Sequence, residues 1–357
     1  MNKVSIKNFK SIKRLEFNSK KFNIFIGEPN TGKSNILEAI GLFSIKHLIK
    51  YLLKLKLEKQ EILEKQEIKE RIKYRLKERQ MERELKDKLK FLIRFDSAIN
   101  LFYDNQTSLE IEVKIGNFNL KVKAVENDNI SIDLNSSSYC VLDAYGNVKD
   151  LKQEDINEKM SIKFYRFRKL YKFPKKTFSF LLPPDGENLL TILSTNNKIH
   201  NLVNNLLEEK GLKIALDEGE SKIKILKLNS SKTILYPYSI LSDTFQRMIF
   251  YLTAIKSNKN SILVFEEPET HTFPYYTKYL AEVIALDDLN NQYFISTHNI
   301  YFLNSLLEKA NKDDLAVFIV YYKNYETKIR ELSYEEKMRI LEEGKDVFFN
   351  IEQFIEE

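Results

Sequence analysis

The chain has 357 residues, of which 43% are hydrophobic and 30% charged, and its formal net charge is +6. This composition is typical of a globular protein with one large domain or two ordinary ones. No apolar run approaches the roughly 20 residues of a membrane span, and the N-terminus lacks a signal peptide's apolar core. The single cysteine, Cys140, excludes an intramolecular disulfide and a cysteine metal cluster. We therefore expect a cytoplasmic protein with no membrane partner, whose weakly basic charge is compatible with nucleic acid.

The first elements predict a strand–loop–helix unit. VSIKNF and KFNIFIG are typical of strands, GEPNTGKS follows from Gly27 to Ser34, and KSNILEAIGLF has the apolar spacing of a helix. The loop matches G-x-x-x-x-G-K-[ST] in the strand-to-helix context that a P-loop requires. Its amides would face phosphates, Gly32 would allow close approach, and Lys33 would contact the β/γ-phosphates. The hydroxyl of Ser34 would ligate Mg²⁺.

The stretch from Ser44 to Phe95 contains no Gly or Pro, which predicts one long helix or a helical hairpin. Polar 58–67 is the candidate turn. Lys and Arg outnumber Asp and Glu here, so the stretch is either a solvated helix that covers the domain or an arm that contacts DNA or a partner. The candidate DNA-binding side chains are Arg71, Lys73, Arg75, Lys77 and Arg79.

The middle of the chain predicts antiparallel strands followed by helices. The runs SLEIEVKIG, FNLKVKAV, NISIDL, YCVLDAYG and SIKFYRF are separated by Asn, Asp and Gly, which indicates meanders. PPDGENLLTIL leads into helices, and two short strands surround LDEGESKIKILKL. Towards the C-terminus, buried strands alternate with helices. This organisation predicts an α/β nucleotide-binding core with insertions.

Two adjacent carboxylates, Glu266 and Glu267, end the apolar strand in VFEEPE. A P-loop needs an acidic residue on a second strand for its metal, and Glu266 takes that position. Glu267 can polarise the water that attacks the γ-phosphate. His298 ends the next apolar strand, FISTHN, and would contact the γ-phosphate or that water. The alternatives are two surface carboxylates and a core histidine.

Four motifs, GEPNTGKS, LSDTFQR, VFEEPE and STHN, occur in this order along the chain. Together with IKNFKSIKRLEF and PDGENLLTIL, they resemble the ABC-type ATPases of the SMC/RecF/OLD group. The resemblance is greatest to stand-alone prokaryotic AAA-family ATP-binding proteins of DNA-repair and phage-defence loci. It extends over nearly the whole chain.

The resemblance implies an α/β fold, namely an ABC-type P-loop ATPase head with a mixed sheet, an antiparallel β subdomain and a helical lobe. The head would comprise 1–45, 96–180 and 236–357. The charged helical insertion would occupy 46–95, and the helical middle lobe 181–235, with the signature region following.

The resemblance also implies the roles of individual residues. ATP would be bound by Lys10, Gly27, Asn30, Thr31, Gly32, Lys33, Ser34, Asn35 and Ser242. Within this set, Ser242 would contact the γ-phosphate of the opposite protomer, although Ser242 and Asp243 within LSDTFQR are also a candidate helix cap. Mg²⁺ would be held by Ser34 and Glu266, while Glu267 would be the catalytic base and His298 the switch histidine.

The chain departs from the group's pattern in four places. Glu266 stands where Asp is usual, Thr244 and Phe245 replace glycine-rich sequence, and Phe273 replaces a histidine. The glutamine of the group's Q-loop has only weak candidates, Gln106 and Gln153.

The predicted function is a slow ATPase that forms an ATP-dependent homodimer and acts on duplex DNA or on an effector protein encoded nearby, in repair or phage defence. One alternative is a low-turnover ATP-sensing subunit that controls a separate nuclease or toxin. Another is a structural protein that bridges DNA through the basic insertion.

Overall fold

The computed structural model describes residues 2–49, 68–135, 137–151, 161–229, 232–342 and 346–356. By their contacts, the residues divide into two compact units. Unit 1 comprises Met1–Lys20, Gly27–Phe164 and Phe318–Glu331. Unit 2 comprises Lys21–Ile26, Tyr165–Val317 and Leu332–Glu357. The boundaries of head, insertion and lobe that the sequence predicts stay predictions.

The strands in chain order are β1 (Asn2–Phe9), β2 (Ile12–Ser19), β3 (Phe22–Ile26), β4 (Ile111–Ile115), β5 (Phe118–Val125), β6 (Asn129–Leu134), β7 (Ser137–Leu142), β8 (Val148–Leu151), β9 (Ser161–Tyr165), β10 (Leu212–Asp217), β11 (Lys222–Asn229), β12 (Lys232–Pro237), β13 (Ser261–Glu266), β14 (Gln292–Ser296), β15 (Leu315–Lys323) and β16 (Glu326–Glu331). The α-helices are α1 (Lys33–Gly41), α2 (Ile68–Leu92), α3 (Leu189–Thr195), α4 (Asn197–Glu208), α5 (Asp243–Lys256), α6 (Pro274–Ala285), α7 (Ile300–Lys309), α8 (Tyr334–Glu342) and α9 (Ile351–Glu356).

Unit 1 contains a seven-stranded antiparallel sheet in the order β2-β1-β4-β5-β6-β7-β8. In β4, the buried residues Ile111, Val113 and Ile115 alternate with half-exposed ones, as expected of a sheet with one apolar face. This sheet confirms the predicted meander, except that β9 is not one of its strands. The reason is visible in β9 itself, where Ile162 to Tyr165 are buried without alternation.

The basic insertion is helical from Ile68 to Leu92. Helix α2 buries Met81, Leu85 and Leu89 at four-residue spacing, as the sequence predicts. The candidate turn, 58–67, lies outside the described residues, as do the side chains of the basic positions from 71 to 77. Whether α2 is half of a hairpin therefore stays a prediction.

Unit 2 is built around three parallel strands in the order β3-β14-β13. All five residues of β3 are buried, and so are the residues of β13 before Glu266. Continuous burial is typical of parallel strands that helices cover on both faces. Helices α5, α6 and α7 alternate with β13 and β14 along the chain and bury apolar residues.

A smaller antiparallel sheet in unit 2 has the order β10-β11-β12. It follows α3 and α4, as predicted for the region after PPDGENLLTIL. No helix among the described residues is long and apolar enough to cross a membrane.

Candidate functional site

The P-loop lies in unit 1, between the end of β3 and the first turn of α1. Gly32 is the N-cap of α1 and has a left-handed φ of 104°. A Cβ atom at Gly32 would lie 2.1 Å from the Oγ1 atom of Thr327. Likewise, a Cβ at Gly27 would lie 2.2 Å from the carbonyl oxygen of Val320. Both glycines of the motif are therefore required by contacts within the protein, while their approach to phosphate stays a prediction.

A chain of side-chain hydrogen bonds holds the loop closed. The amide of Asn35 donates to Ser11 Oγ at 2.7 Å, and Ser11 Oγ contacts Thr327 Oγ1 at 2.7 Å. Thr327 Oγ1 in turn donates to the carbonyl oxygen of Thr31 at 2.9 Å. The side chains of Ser11 and Thr327 are thus part of the candidate site, although the sequence analysis did not identify them.

The ammonium group of Lys33 lies inside the curl of the loop. Its Nζ donates to the carbonyl oxygens of Gly27 at 2.8 Å and Glu28 at 2.7 Å, and the side chain is buried. Asn30 adopts a left-handed φ of 61° at the exposed tip, while Ser34 on α1 is half-buried. The loop is therefore curled around the Lys33 ammonium group, and the predicted contacts of its amides with phosphate stay a prediction.

Lys10 contacts the helix that follows the P-loop. Its Nζ forms an ion pair with the fully buried carboxylate of Glu38 on α1 and donates to the carbonyl oxygen of Arg94 at 2.6 Å. Arg94 Nε donates to the other oxygen of Glu38 at 2.7 Å. The predicted contact between Lys10 and nucleotide stays a prediction.

In unit 2, the carboxyl ends of β3, β14 and β13 meet at one edge of the sheet. Glu266 at the end of β13 pairs with Ser296 at the end of β14, which pairs with Phe25 in β3. The P-loop starts at Gly27, two residues beyond Phe25. Ligands of open α/β sheets bind at this kind of edge.

Glu267 and His298 form a pair at this edge. Glu267 Oε1 lies 3.1 Å from His298 Nε2, and both side chains are about two-fifths exposed. Glu267 adopts a left-handed φ of 42°, which is uncommon for a residue with a side chain. The hydroxyl of Thr270 donates to its other oxygen at 3.3 Å. The pair thus presents a carboxylate and an imidazole to solvent, as acid–base chemistry on a water requires.

A buried carboxyl supports the loop that carries His298. Thr297 Oγ1 donates to Glu269 Oε1 at 2.5 Å and accepts from the backbone N–H of Asn299 at 3.0 Å. Burial raises the pKa of Glu269 to about 7. Its Oε2 atom has no hydrogen-bond partner among the described residues, so a neutral carboxyl is less costly here than a carboxylate. Glu269 could not be identified from the sequence, because its burial is not visible in the motif.

Glu266, the candidate metal residue, forms an ion pair with Arg166, and each side chain is 14% exposed. No group of three or more His, Cys, Asp or Glu residues in the described part of the chain could hold a metal alone. Mg²⁺ needs no such group, because it is held by one or two side-chain oxygens together with phosphate oxygens and waters. The oxygen donors of Ser34 and Glu266 fit that preference.

The signature region begins α5 in unit 2. Ser242 is its N-cap by backbone position, but its exposed side chain makes no capping hydrogen bond. Ser242 is thus the cap residue by position, as the alternative interpretation of LSDTFQR has it, but without a capping hydrogen bond from its side chain. Thr244 Oγ1 donates to the carbonyl oxygen of His271 at 3.2 Å, and Phe245 packs against Tyr276. Of the Q-loop candidates, Gln106 lies in an exposed turn and Gln153 lies outside the described residues.

Comparison with known proteins identifies the family. Residues 22–304 match the model of the family described as "AAA domain, putative AbiEii toxin, Type IV TA system". A search of curated proteins found no match. Among solved structures, an SMC head bound to the C-winged helix domain of ScpA superposes with a TM-score of 0.53 at 15% identity, over 95% of this chain and 99% of that one.

The SMC head domain from Thermotoga maritima superposes with a TM-score of 0.46 at 13% identity, over 93% of this chain and 98% of that one. The family match covers most of the chain, and the SMC head bound to ScpA shares its fold, which confirms the predicted fold class. The chain therefore belongs to the AAA-domain family of AbiEii type and has the fold of SMC head domains.

Proposed function

We propose that the protein is an ATP-driven switch that hydrolyses ATP slowly and acts in the cytoplasm on duplex DNA or on an effector protein. The observation that carries this proposal is the pairing of Glu267 with His298 just beyond the carboxyl ends of β13 and β14. Glu267 accepts a proton from the attacking water, and His298 orients that water or the γ-phosphate.

The other predicted residues have positioning roles in this proposal. The phosphates of ATP are bound by Gly27, Asn30, Thr31, Gly32, Lys33, Ser34 and Asn35, with Lys10 nearby. Ser34 and Glu266 hold Mg²⁺, which neutralises developing charge on the phosphates. Ser242 contacts the ATP of a second copy, so ATP joins two protomers, and hydrolysis releases them.

The test compares the wild type with Glu267→Gln. We expect the substitution to lower the ATPase rate by about 100-fold or more, since a general base contributes on that order. With ATP and Mg²⁺, light scattering should show a stable dimer of the variant. Glu308→Gln, which changes an exposed glutamate on α7, is the matched control.

Two results would contradict the proposal. If Glu267→Gln hydrolysed ATP at the wild-type rate, Glu267 would not be the general base. If the Glu267→Gln variant stayed monomeric with ATP, the proposed ATP-dependent dimer would be contradicted. Adding duplex DNA to the same assays tests for that partner, whose binding should weaken steeply with salt.

A second candidate is a low-turnover ATP sensor that controls a toxin or nuclease. The ion pair between Glu266 and Arg166 favours it, because the metal must compete with a guanidinium for this carboxylate. The family's description names a toxin and a toxin–antitoxin system, and the SMC head of the same fold was solved with a partner domain. Wild-type protein that retains one ATP per chain through gel filtration, without releasing phosphate, would support this candidate over the first.

A further inference from the structure

The guanidinium of Arg166 is the direct partner of the Glu266 carboxylate. Both side chains lie in unit 2 and are 14% exposed, so neither charge is well solvated. The backbone N–H of Arg166 donates to the carbonyl oxygen of Pro184 at 2.9 Å, which fixes the start of the segment. In such a setting each charge depends on the other, since an unpaired buried charge is costly.

The residues that follow connect the same segment to the signature helix. We call residues 166–169 the RFRK segment. The guanidinium carbon of Arg247 on α5 lies 4.7 Å from the centre of the Phe167 ring. Lys169 Nζ lies 2.6 Å from Asp243 Oδ1, at the first residue of α5. The second pair is more exposed and therefore weaker. Together, these contacts fasten the N-terminal half of α5 to the backbone that bears Arg166.

We propose that Arg166 is a positioning residue that holds the Glu266 carboxylate until a divalent metal arrives with nucleotide, and that the RFRK segment transmits the exchange of partners to α5. The inference rests on the proposed function, because it takes Glu266 as a metal-binding residue.

The exchange follows from the charges involved. A divalent cation beside Glu266 would stand close to the guanidinium, and the two cations repel each other strongly at partly buried positions. Metal binding therefore weakens the contact between Glu266 and Arg166. Because Phe167 is the next residue, a displacement of Arg166 changes the stacking with Arg247 on α5. Ser242 lies at the N-terminus of that helix, so the metal state of Glu266 influences the surface offered to a second protomer.

The pairing is tested first without metal or nucleotide. Arg166→Ala, Glu266→Gln and the double variant are unfolded in urea in the presence of EDTA. Each single substitution should lower the midpoint, and the double variant should lose less than the sum of the two. Additive losses would overturn the pairing. Arg168→Ala is the matched control, since the guanidinium of Arg168 forms an ion pair with Asp185.

The exchange is tested with Mn²⁺ as the probe. In a Glu267→Gln background with saturating ATP, bound Mn²⁺ is measured by electron paramagnetic resonance. Arg166→Ala should lower the dissociation constant for Mn²⁺ by about fivefold or more, because a charged hydrogen-bond partner that competes for Glu266 has been removed. Arg166→Lys should restore most of the wild-type value, and Arg168→Ala should leave it unchanged.

The results separate the two proposals. An unchanged or raised dissociation constant in Arg166→Ala would overturn the exchange while leaving the proposed function intact. Absence of ATP-dependent Mn²⁺ binding in every variant would overturn the proposed metal site, and the exchange with it, whatever the urea experiment shows about the pairing.

The transmission to α5 has its own readout. Hydrogen exchange of the backbone amides from 243 to 246 is followed on adding ATP and Mn²⁺, at protein concentrations where light scattering shows a monomer. On adding ATP and Mn²⁺, the rate of hydrogen exchange at these amides should change in the Glu267→Gln protein. It should stay the same when Arg166→Ala or Phe167→Ala is added to Glu267→Gln. An identical response in all three proteins would overturn the transmission.

Discussion

Glu269 makes the stability of the protein depend on pH. Burial raises its pKa from 4.5 to about 7. Between these two values, the folded protein keeps the proton of Glu269 and the unfolded chain has lost it. The free energy of unfolding therefore falls as pH rises from about 4.5 to about 7, by at most about 1.4 kcal/mol per pH unit. Above about pH 7 the contribution of Glu269 no longer changes with pH.

We expect Glu269→Gln to remove this dependence, because an amide can accept the hydrogen bond from Thr297 but does not titrate. Urea unfolding midpoints of the wild type should fall between about pH 5 and about pH 7.5 by more than those of the variant. Glu308→Gln should follow the wild-type profile. Parallel profiles for the wild type and Glu269→Gln would show that Glu269 does not titrate as described.

At the scale of single residues, the sequence predicts those parts of the site that local motifs encode. The P-loop, Glu267 and His298 belong to short patterns whose chemistry is readable from residue type and spacing. Thr327 could not be predicted in this way, because it reaches Thr31 across 296 positions. Arg166 was missed for a related reason, since nothing near it in the sequence points to a carboxylate at Glu266.

At the scale of elements, the buried carboxylate of Glu38 joins α1 to two other parts of unit 1. Lys10 comes from the turn between β1 and β2, and Arg94 follows α2. The side chain of Lys10 is largely buried whereas that of Arg94 is about half exposed. Removal of the Glu38 carboxylate therefore leaves the ammonium group of Lys10 largely buried without its carboxylate partner, whereas the guanidinium of Arg94 can be solvated.

We predict that Glu38→Ala lowers the free energy of unfolding by about 3–5 kcal/mol, the usual cost of breaking a buried ion pair from one side. Arg94→Ala should cost less than half as much. Urea denaturation measures both, with exposed Glu82→Gln on α2 as the control. Equal losses for the Glu38 and Arg94 variants would contradict this account of the ion pairs.

The sequence predicts the helices and strands better than it predicts which strands pair with one another. Alternation in β4 and continuous burial in β3 and β13 identify antiparallel and parallel strands before any pairing is known. The place of β9 is different, because strand propensity alone does not show which sheet a strand joins. The long basic stretch from Ser44 to Phe95 likewise has helical periodicity in its sequence but no turn signal that fixes its path.

At the scale of the whole molecule, the exposed hydroxyl of Ser242 gives a test of the ATP-joined dimer. The side chain makes no capping bond, so a large substitution should leave the folded monomer intact. We expect Glu267→Gln with Ser242→Arg to bind ATP but to keep the mass of a monomer in light scattering. Ser108→Arg, in an exposed turn of unit 1, should still dimerise. A dimer with Arg at 242 would exclude this surface from the interface.

The hydrogen bond from Thr327 to Thr31 has a consequence for the order in which the protein is made. The two residues are 296 positions apart. At the usual 5–20 residues per second, Thr327 leaves the ribosome roughly 15–60 s after Thr31. During that interval the nascent chain contains the whole P-loop motif, but it lacks the Thr327 hydroxyl that hydrogen-bonds to the loop at Thr31. A chain that is terminated before β16 would therefore have the complete P-loop sequence but lack the Thr327 hydroxyl that hydrogen-bonds to Thr31.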